Sequence, residues 1–130
     1  MKFSVNSSKN KEVIDITNSI NEFLTEKKVE QGSVLIFAKH STAALAVSEV
    51  GEGTEEDLLE VVQKMIPRIN FRHGHNPYHA PDHMISSIVG PCVTVPIWES
   101  KLDLGTWQRV VLLELNGPRK LDLTLTISSN

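Results

Sequence analysis

The histidines are the residues of this sequence whose type and spacing could do chemistry. Four of the five histidines lie between positions 73 and 83, in the segment HGHNPYHAPDH, and the fifth is His40. An imidazole is the most frequent side-chain ligand of metals and the usual acid or base near neutral pH. The glycine and prolines of this segment indicate a structured loop leading into a helix, where functional side chains are often found.

Three histidines, His40, His73 and His83, are the candidates for one site. His40 follows an apolar run and is expected at a strand end, beside the hydroxyl of Ser41. The H-x-H spacing of His73 and His75 would place both rings on one side of an extended segment. The set predicts a centre for a divalent ion, Zn²⁺ or another transition metal before Mg²⁺, or an acid–base centre. The alternative is that these histidines make caps and surface hydrogen bonds.

A second candidate is the pair of Glu114 and Arg119. Glu114 interrupts an apolar run at residues 110–115, so its carboxylate is expected to be at least partly buried, which is costly without a partner. If Asn116-Gly117 forms a two-residue hairpin turn, Arg119 lies directly opposite Glu114. One interpretation is an ion pair at the end of a hairpin. The other is that Glu114 orients the guanidinium of Arg119 toward a phosphate.

The hydrophobic pattern predicts a mixed domain of helices and strands that positions these residues. Helices are expected from about residue 17, from residue 54 to Pro67 and from 81 to 89. Strands are expected at 2–5, 12–16, 33–38, 43–47, 92–97, 107–115 and 119–127, the last two as a hairpin. Residues 33–38 and 110–113 are apolar on both faces, which predicts cover on two sides. For residues 110–113 the second cover could be another subunit.

The composition is typical of a single globular domain spanning residues 1–130. Hydrophobic residues make up 40% and charged residues 22% of the chain. A net charge of −3 without a basic run argues against nucleic acid or an anionic membrane as partner. No apolar stretch is long enough to span a membrane. The absence of a signal-peptide pattern and the single Cys92 favour a reducing cytoplasm.

Several motifs resemble those of the YjbQ-like family. They are His40-Ser41-Thr42, the histidine loop ending in Asp82-His83, LDLGTWQ at 102–108 and ELNGPR at 114–119. Their order and spacing fit over residues 5 to 127. The resemblance implies an α+β fold in which two sheets form a β-sandwich with flanking helices. It also implies a homotrimer around a threefold axis.

The resemblance implies a function and a set of site residues. Family members are similar to a secondary thiamine-phosphate synthase, which joins a pyrimidine diphosphate to a thiazole phosphate and releases pyrophosphate. The implied partners are small phosphorylated metabolites, and Mg²⁺ could assist the diphosphate in place of a transition metal. The implied catalytic residues are His40, His73, His83 and Glu114; the implied metal ligands are His40, His73 and His83; and the implied substrate-binding residues are Ser41, Asp57, Gln108 and Arg119.

Two other functions use the same residues. A non-catalytic trimeric protein would bind a metal ion or a phosphorylated metabolite without turnover. A metal-dependent phosphate-ester hydrolase would use a metal-bound water as its nucleophile. The resemblance favours an enzyme of the transferase type, and the sequence leaves open the metal, the physiological substrate and whether subunits share the site.

Overall fold

A computed structural model describes residues 1–74 and 77–129. In this part of the chain, two antiparallel sheets and three α-helices confirm the predicted α+β fold with a two-sheet sandwich. The elements are, in chain order, β1 (Lys2–Asn6), β2 (Glu12–Asp15), α1 (Thr17–Glu26), β3 (Gln31–Ala38), β4 (Ala43–Ser48), α2 (Thr54–Lys64), a 3-10 turn (Pro77–His79), α3 (Ala80–Val89), β5 (Cys92–Trp98), β6 (Lys101–Leu102), β7 (Arg109–Glu114) and β8 (Lys120–Ser129).

The core of the sandwich lies between the inner faces of the two sheets and α1. The larger sheet has the strand order β1-β8-β3-β5-β6, and the smaller sheet has the order β2-β7-β4. Both sheets and the helix contribute side chains that are fully shielded from solvent, among them Ile20, Leu24, Ile36, Leu45, Leu112 and Leu123. Burying an aliphatic side chain of this size contributes about 1.5–3 kcal/mol, so this layer supplies most of the driving force for the fold.

Strand β7 is apolar on both faces because it lies between two cores. Val110 and Leu112 face the core between the sheets. Val111 and Leu113 face a second core that α2 and α3 close, with Ile85 of α3 buried against them. The second cover comes from this chain's own helices, so the expectation that another subunit supplies it is wrong. The homotrimer stays a prediction.

Residues 116–119 do not close a hairpin. β7 pairs with β2 and β4 in the smaller sheet, whereas β8 pairs with β1 and β3 in the larger sheet. The chain therefore crosses between the sheets after Glu114, and the predicted pairing of β7 with β8 is wrong. Two features explain the difference. β7 is apolar on both faces and therefore takes the central place of a covered sheet. Pro118 has no N–H that it could donate to a hairpin partner.

Two further expectations have different outcomes. Residues 43–47 are a strand, as predicted from the short length of the segment and from Gly51 and Gly53 after it. β3 is covered on one face only, because its burial alternates and Leu35 and Phe37 are 37% and 40% exposed. Within residues 1–74 and 77–129, the helices are too short and too polar to cross a membrane. The cytoplasmic location stays a prediction.

The intramolecular cover of β7 leads to a prediction about stability. Replacing the fully buried Leu113 by alanine should lower the free energy of unfolding by about 3 kcal/mol, because a cavity opens under α2 and α3. Val61 on the outer face of α2 is 54% exposed, so its replacement by alanine should change the free energy by less than about 0.5 kcal/mol. Denaturant unfolding measures both changes.

Protein concentration distinguishes cover by helices from cover by a subunit. The difference between the Leu113→Ala variant and the wild type should be the same at two protein concentrations. A difference that grows on dilution would show that a neighbouring subunit covers this face of β7.

Candidate functional site

The turn at residues 40–42, between β3 and β4, is where distant parts of the chain meet. The backbone N–H of Asp122 on β8 donates to Nε2 of His40 over 2.8 Å. Nδ1 of His83 on α3 lies 3.1 Å from the carbonyl oxygen of Ser41. The turn thus joins the larger sheet to α3. We use the name turn site for His40, Ser41, Thr42, His73, His83, Glu114 and Arg119.

Glu114 and Arg119 form a buried ion pair beside the same turn. Nε and Nη2 of Arg119 donate to the two carboxylate oxygens of Glu114 over 3.1 and 2.9 Å. Nη2 also donates to the hydroxyl oxygen of Thr42 over 2.9 Å. The side chain of Glu114 is 0% exposed and that of Arg119 is 26% exposed. The predicted ion pair is confirmed, although a crossover between the sheets brings the two residues together.

Hydrogen bonds keep Glu114 in its charged form. Burial alone would raise the pKa of this carboxyl group, but hydrogen bonds from Arg119, the backbone N–H of Asn116 and the hydroxyl of Ser7 outweigh burial and hold the pKa below its ordinary value. A carboxylate only accepts hydrogen bonds. Glu114 therefore orients Arg119 and is not a proton donor at neutral pH.

His40 is neutral, and its proton lies on Nδ1. Burial and the positive charge of Arg119 lower the pKa of His40 below its ordinary value. Because Nε2 accepts the N–H of Asp122, the single proton of the neutral ring must be on Nδ1. His40 can donate one hydrogen bond from Nδ1, while Nε2 is occupied.

His83 has the opposite nitrogen available. A carbonyl oxygen only accepts hydrogen bonds, so Nδ1 of His83 donates to Ser41. In the neutral ring, Nε2 keeps a lone pair that has no partner within residues 1–74 and 77–129. The ring of His73 stacks on that of His83, with centroids 4.7 Å apart and planes at 21°. An imidazole anchored to a carbonyl through one nitrogen presents the other in a fixed direction, as a base or a ligand requires.

The three predicted metal ligands do not converge on one point in the described arrangement. Nε2 of His40 is used by Asp122, and the rings of His73 and His83 are nearly parallel, so their in-plane lone pairs do not meet. Across residues 1–74 and 77–129, no group of three or more His, Cys, Asp or Glu side chains could hold a metal ion. His75 lies outside the described residues. These residues do not fit the predicted three-histidine metal centre.

Two predicted substrate-binding residues lie away from the turn site. Gln108 precedes β7, where its Oε1 accepts the backbone N–H of Gly105 over 2.9 Å. Glu114 lies six positions after Gln108 along extended chain, which corresponds to about 20 Å at the rise of a β-strand. Asp57 is exposed on α2, in a shallow depression beside Met65. A single chain does not bring these two residues to Arg119.

Ser7 completes the ion pair, although no motif or spacing in the sequence indicates it. The hydroxyl of Ser7 donates to Oε2 of Glu114 over 2.9 Å and accepts the backbone N–H of Arg119 over 2.9 Å. Ser7 follows β1, whose last residue Asn6 pairs with Lys120 on β8. Only the pairing of β1 with β8 brings these residues together, and nothing local in the sequence predicts that pairing.

Comparison with known proteins shows the family of the chain. All of residues 1–130 match the family described as UPF0047 protein YjbQ-like. A UPF0047 protein of Mycobacterium tuberculosis (strain H37Rv) is 38% identical over 112 residues, covering 83% of each chain. A UPF0047 protein of Archaeoglobus fulgidus is 35% identical over 120 residues, covering 92% of this chain and 93% of the relative.

Solved structures share the fold over its full length. A hypothetical protein from Aeropyrum pernix K1 has a TM-score of 0.90 and 28% identity, covering 100% of this chain and 98% of that chain. A protein from Sulfolobus solfataricus P2 is described as YbjQ-like and of unknown function. It has a TM-score of 0.90 and 30% identity, covering 100% of this chain and 96% of that chain. The sandwich and the positions of its helices are thus those of known crystal structures.

These comparisons contradict the predicted thiamine-phosphate synthase-like transferase. The relatives are named as UPF0047 proteins, and the Sulfolobus protein is described as having unknown function. None of these names includes a thiamine-phosphate synthase, so that prediction is wrong. The two alternatives, a trimeric binding protein and a metal-dependent hydrolase, gain no support from them either.

The ion pair leads to a prediction about pH. Replacing Glu114 by glutamine should destabilise the protein by about 3 kcal/mol at neutral pH, because Arg119 loses its buried partner. The folded-state pKa of Glu114 is lowered, so the advantage of the wild type is present above about pH 4.3 and is lost as the pH falls through the folded-state value. Denaturant unfolding of both proteins from neutral to acid pH measures this.

A matched exposed pair provides the control. Glu60 and Lys64 lie on α2 with side chains 63% and 77% exposed, so Glu60→Gln should have little effect at any pH. If the two curves for wild type and Glu114→Gln were parallel down to acid pH, Glu114 would not be held in its charged form by Arg119.

Proposed function

The chain belongs to the UPF0047 family of YjbQ-like proteins, and we propose that this member is an enzyme that moves a proton next to a carbonyl group of a small phosphorylated metabolite. The observation that supports this proposal most is the hydrogen bond from Nδ1 of His83 to the carbonyl oxygen of Ser41. It anchors the ring of His83 to the same turn that Arg119 contacts. Among the described residues, Nε2 has no hydrogen-bond partner and can act as a base.

His83 is the base of the proposed reaction. Its Nε2 takes a proton from the carbon next to the carbonyl group, and the electron pair of the broken C–H bond forms an enolate. The same nitrogen then returns a proton to that carbon, which restores the carbonyl group. The stacked ring of His73 and the hydrogen bond to Ser41 restrict the rotation of His83. A base that is held in one orientation loses little entropy when it reaches the transition state.

His40 is the group that polarises the carbonyl oxygen. Its ring is neutral, and Nδ1 carries a hydrogen that makes no hydrogen bond within the described part of the chain. A neutral imidazole can donate this hydrogen to the oxygen on which negative charge develops. The bond from the N–H of Asp122 to Nε2 holds the ring in this tautomer.

Arg119 supplies the contact with the phosphoryl group. Nε and Nη2 are engaged by Glu114 and Thr42, whereas among the described residues Nη1 has no hydrogen-bond partner and remains open to solvent. Guanidinium groups bind phosphoryl oxygens with well-defined geometry. Since Glu114 already fixes the plane of the guanidinium, binding costs little side-chain entropy.

Two predictions from the family resemblance stay predictions. One is a divalent metal ion, which oxygen atoms of a bound metabolite would hold, and not Nε2 of His83, which is the proposed base. The other is a homotrimer, which could place Gln108 or Asp57 of a second copy near the turn site. The proposed roles of His40, His83 and Arg119 need neither of them.

Deuterium incorporation tests the proposal. The protein is incubated in D₂O with a mixture of phosphorylated aldehydes and ketones, and the gain of deuterium at carbon is followed by mass spectrometry. We expect incorporation into at least one compound, and we expect His83→Gln to slow it roughly 100-fold or more, as for loss of a general base. Arg119→Lys should raise the KM more than it lowers kcat, since a lysine cannot keep the same fork of contacts.

His79 provides the matched control. It lies in the same segment, with Nδ1 3.8 Å from a carboxylate oxygen of Asp82 and outside the turn site, so His79→Gln should retain incorporation. The assay is run after treatment with a chelator and again with Zn²⁺ or Mg²⁺ added, which tests the predicted metal ion. No incorporation under any of these conditions, or full incorporation by His83→Gln, would contradict the proposal.

A further inference from the structure

A groove runs between α2, the segment at residues 66–71 and the beginning of α3, and no residue of the turn site lines it. Its volume of about 910 Å³ is within the range that holds small organic ligands. Its apolar lining includes Leu59, Ile66, Pro67, Phe71, Pro81 and Ile85. Ile85 is 1% exposed and forms part of the floor, so a ligand in this groove would rest on the second core.

Lys11 places a fixed ammonium group in the wall of this groove. Its Nζ donates to Oδ1 of Asp82 over 2.8 Å and to the carbonyl oxygen of Leu115 over 3.0 Å. The side chains of Lys11 and Asp82 are 29% and 8% exposed, so this pair is largely shielded from water. An ammonium group has three N–H donors. Two are used within the described chain, and one is available to a ligand.

The charges around Lys11 favour a neutral ligand. Asp82 compensates the charge of the ammonium group, and a second carboxylate at the same nitrogen would be repelled by Asp82. The other charged side chains that line the groove are exposed and solvated, so they add little selectivity. They are the ion pair of Lys64 with Glu60, and Glu56 and Arg68. A carbonyl oxygen or a ring nitrogen fits the free N–H of Lys11 best.

The walls favour a flat ring. Phe71 presents an aromatic surface, and Pro81 adds a rigid apolar face to the lining. Aromatic rings prefer offset-stacked or edge-to-face contacts with other rings. A saturated ring of the same size has no π face and cannot make these contacts.

We propose that this groove is a second binding site, which takes a small neutral compound with a flat heteroaromatic ring and a carbonyl or ring-nitrogen acceptor. The ring lies against Phe71 and the apolar floor, and the acceptor binds the free N–H of Lys11. The site does not depend on the function proposed for the turn site, since none of the residues of the turn site takes part.

Nicotinamide is the probe for this site, because it combines a flat ring with a neutral carbonyl acceptor. It is titrated into the full chain while the methyl signals of Ile85 and Leu59 are followed by NMR. We expect saturable shifts with a Kd in roughly the millimolar range, as ligand efficiency allows for so small a molecule. Cyclohexanecarboxamide, without the flat ring, and benzoate, with a negative charge, should bind about five-fold more weakly or worse.

Variants locate the contacts. Lys11→Met should weaken nicotinamide binding about ten-fold, as expected for a lost hydrogen bond to a charged donor. Phe71→Leu removes the aromatic wall, keeps Lys11 and its ion pair, and should weaken binding several-fold. Lys64→Met is the matched control and should leave the Kd unchanged. Thermal unfolding of each variant reports whether it is folded.

Several results would overturn the proposal. They are shifts that do not saturate, shifts at the turn site rather than at Ile85, and equal binding of the three probes. Unchanged binding by folded Phe71→Leu would also overturn it. Since the deuterium experiment addresses His83, failure of either site leaves the result for the other intact.

Discussion

The ion pair between Glu114 and Arg119 is the interaction on which the arrangement of the turn site depends. It joins the end of β7 in the smaller sheet to the start of β8 in the larger sheet, and Arg119 extends the contact to Thr42. Burying a carboxylate and a guanidinium costs several kcal/mol unless each is fully hydrogen-bonded. Because Ser7 and the backbone of Asn116 complete the bonds to Glu114, the crossover of the chain is fixed in one geometry.

The helices place the proposed base relative to this pair. The hydroxyl of Ser86 on α3 donates to the carbonyl oxygen of Ala43 on β4 over 2.6 Å. His83 precedes Ser86 by three residues and therefore lies on the same face of α3. That spacing directs its ring to Ser41, two residues before Ala43. The same packing of α3 against β4 therefore covers β7 with apolar side chains and places His83 beside Ser41.

The local pattern of apolar and polar residues predicted the helices and strands, but it did not predict which distant strands pair. The helices begin near residues 17, 54 and 80, where periodicity and stop signals indicated them. The place of Glu114 in an apolar strand predicted that its side chain is buried and has a cationic partner, and the structure confirms both. The hairpin prediction failed because Asn116-Gly117 is a local signal, whereas the partners of β7 are set by cover on both of its faces. The histidines share a turn site, but hydrogen bonds to Asp122 and Ser41, which no spacing encodes, decide where each lone pair points.

The tautomers of the two anchored histidines are the most direct test of the turn site. A long-range ¹H–¹⁵N NMR spectrum above neutral pH distinguishes a protonated ring nitrogen from a bare one. We predict that both His40 and His83 carry the proton on Nδ1, with Nε2 of His40 accepting from Asp122 and Nε2 of His83 bare. A proton on Nε2 of His83 would remove the proposed base from the turn site. A proton on Nε2 of His40 would contradict the anchoring of the turn to β8.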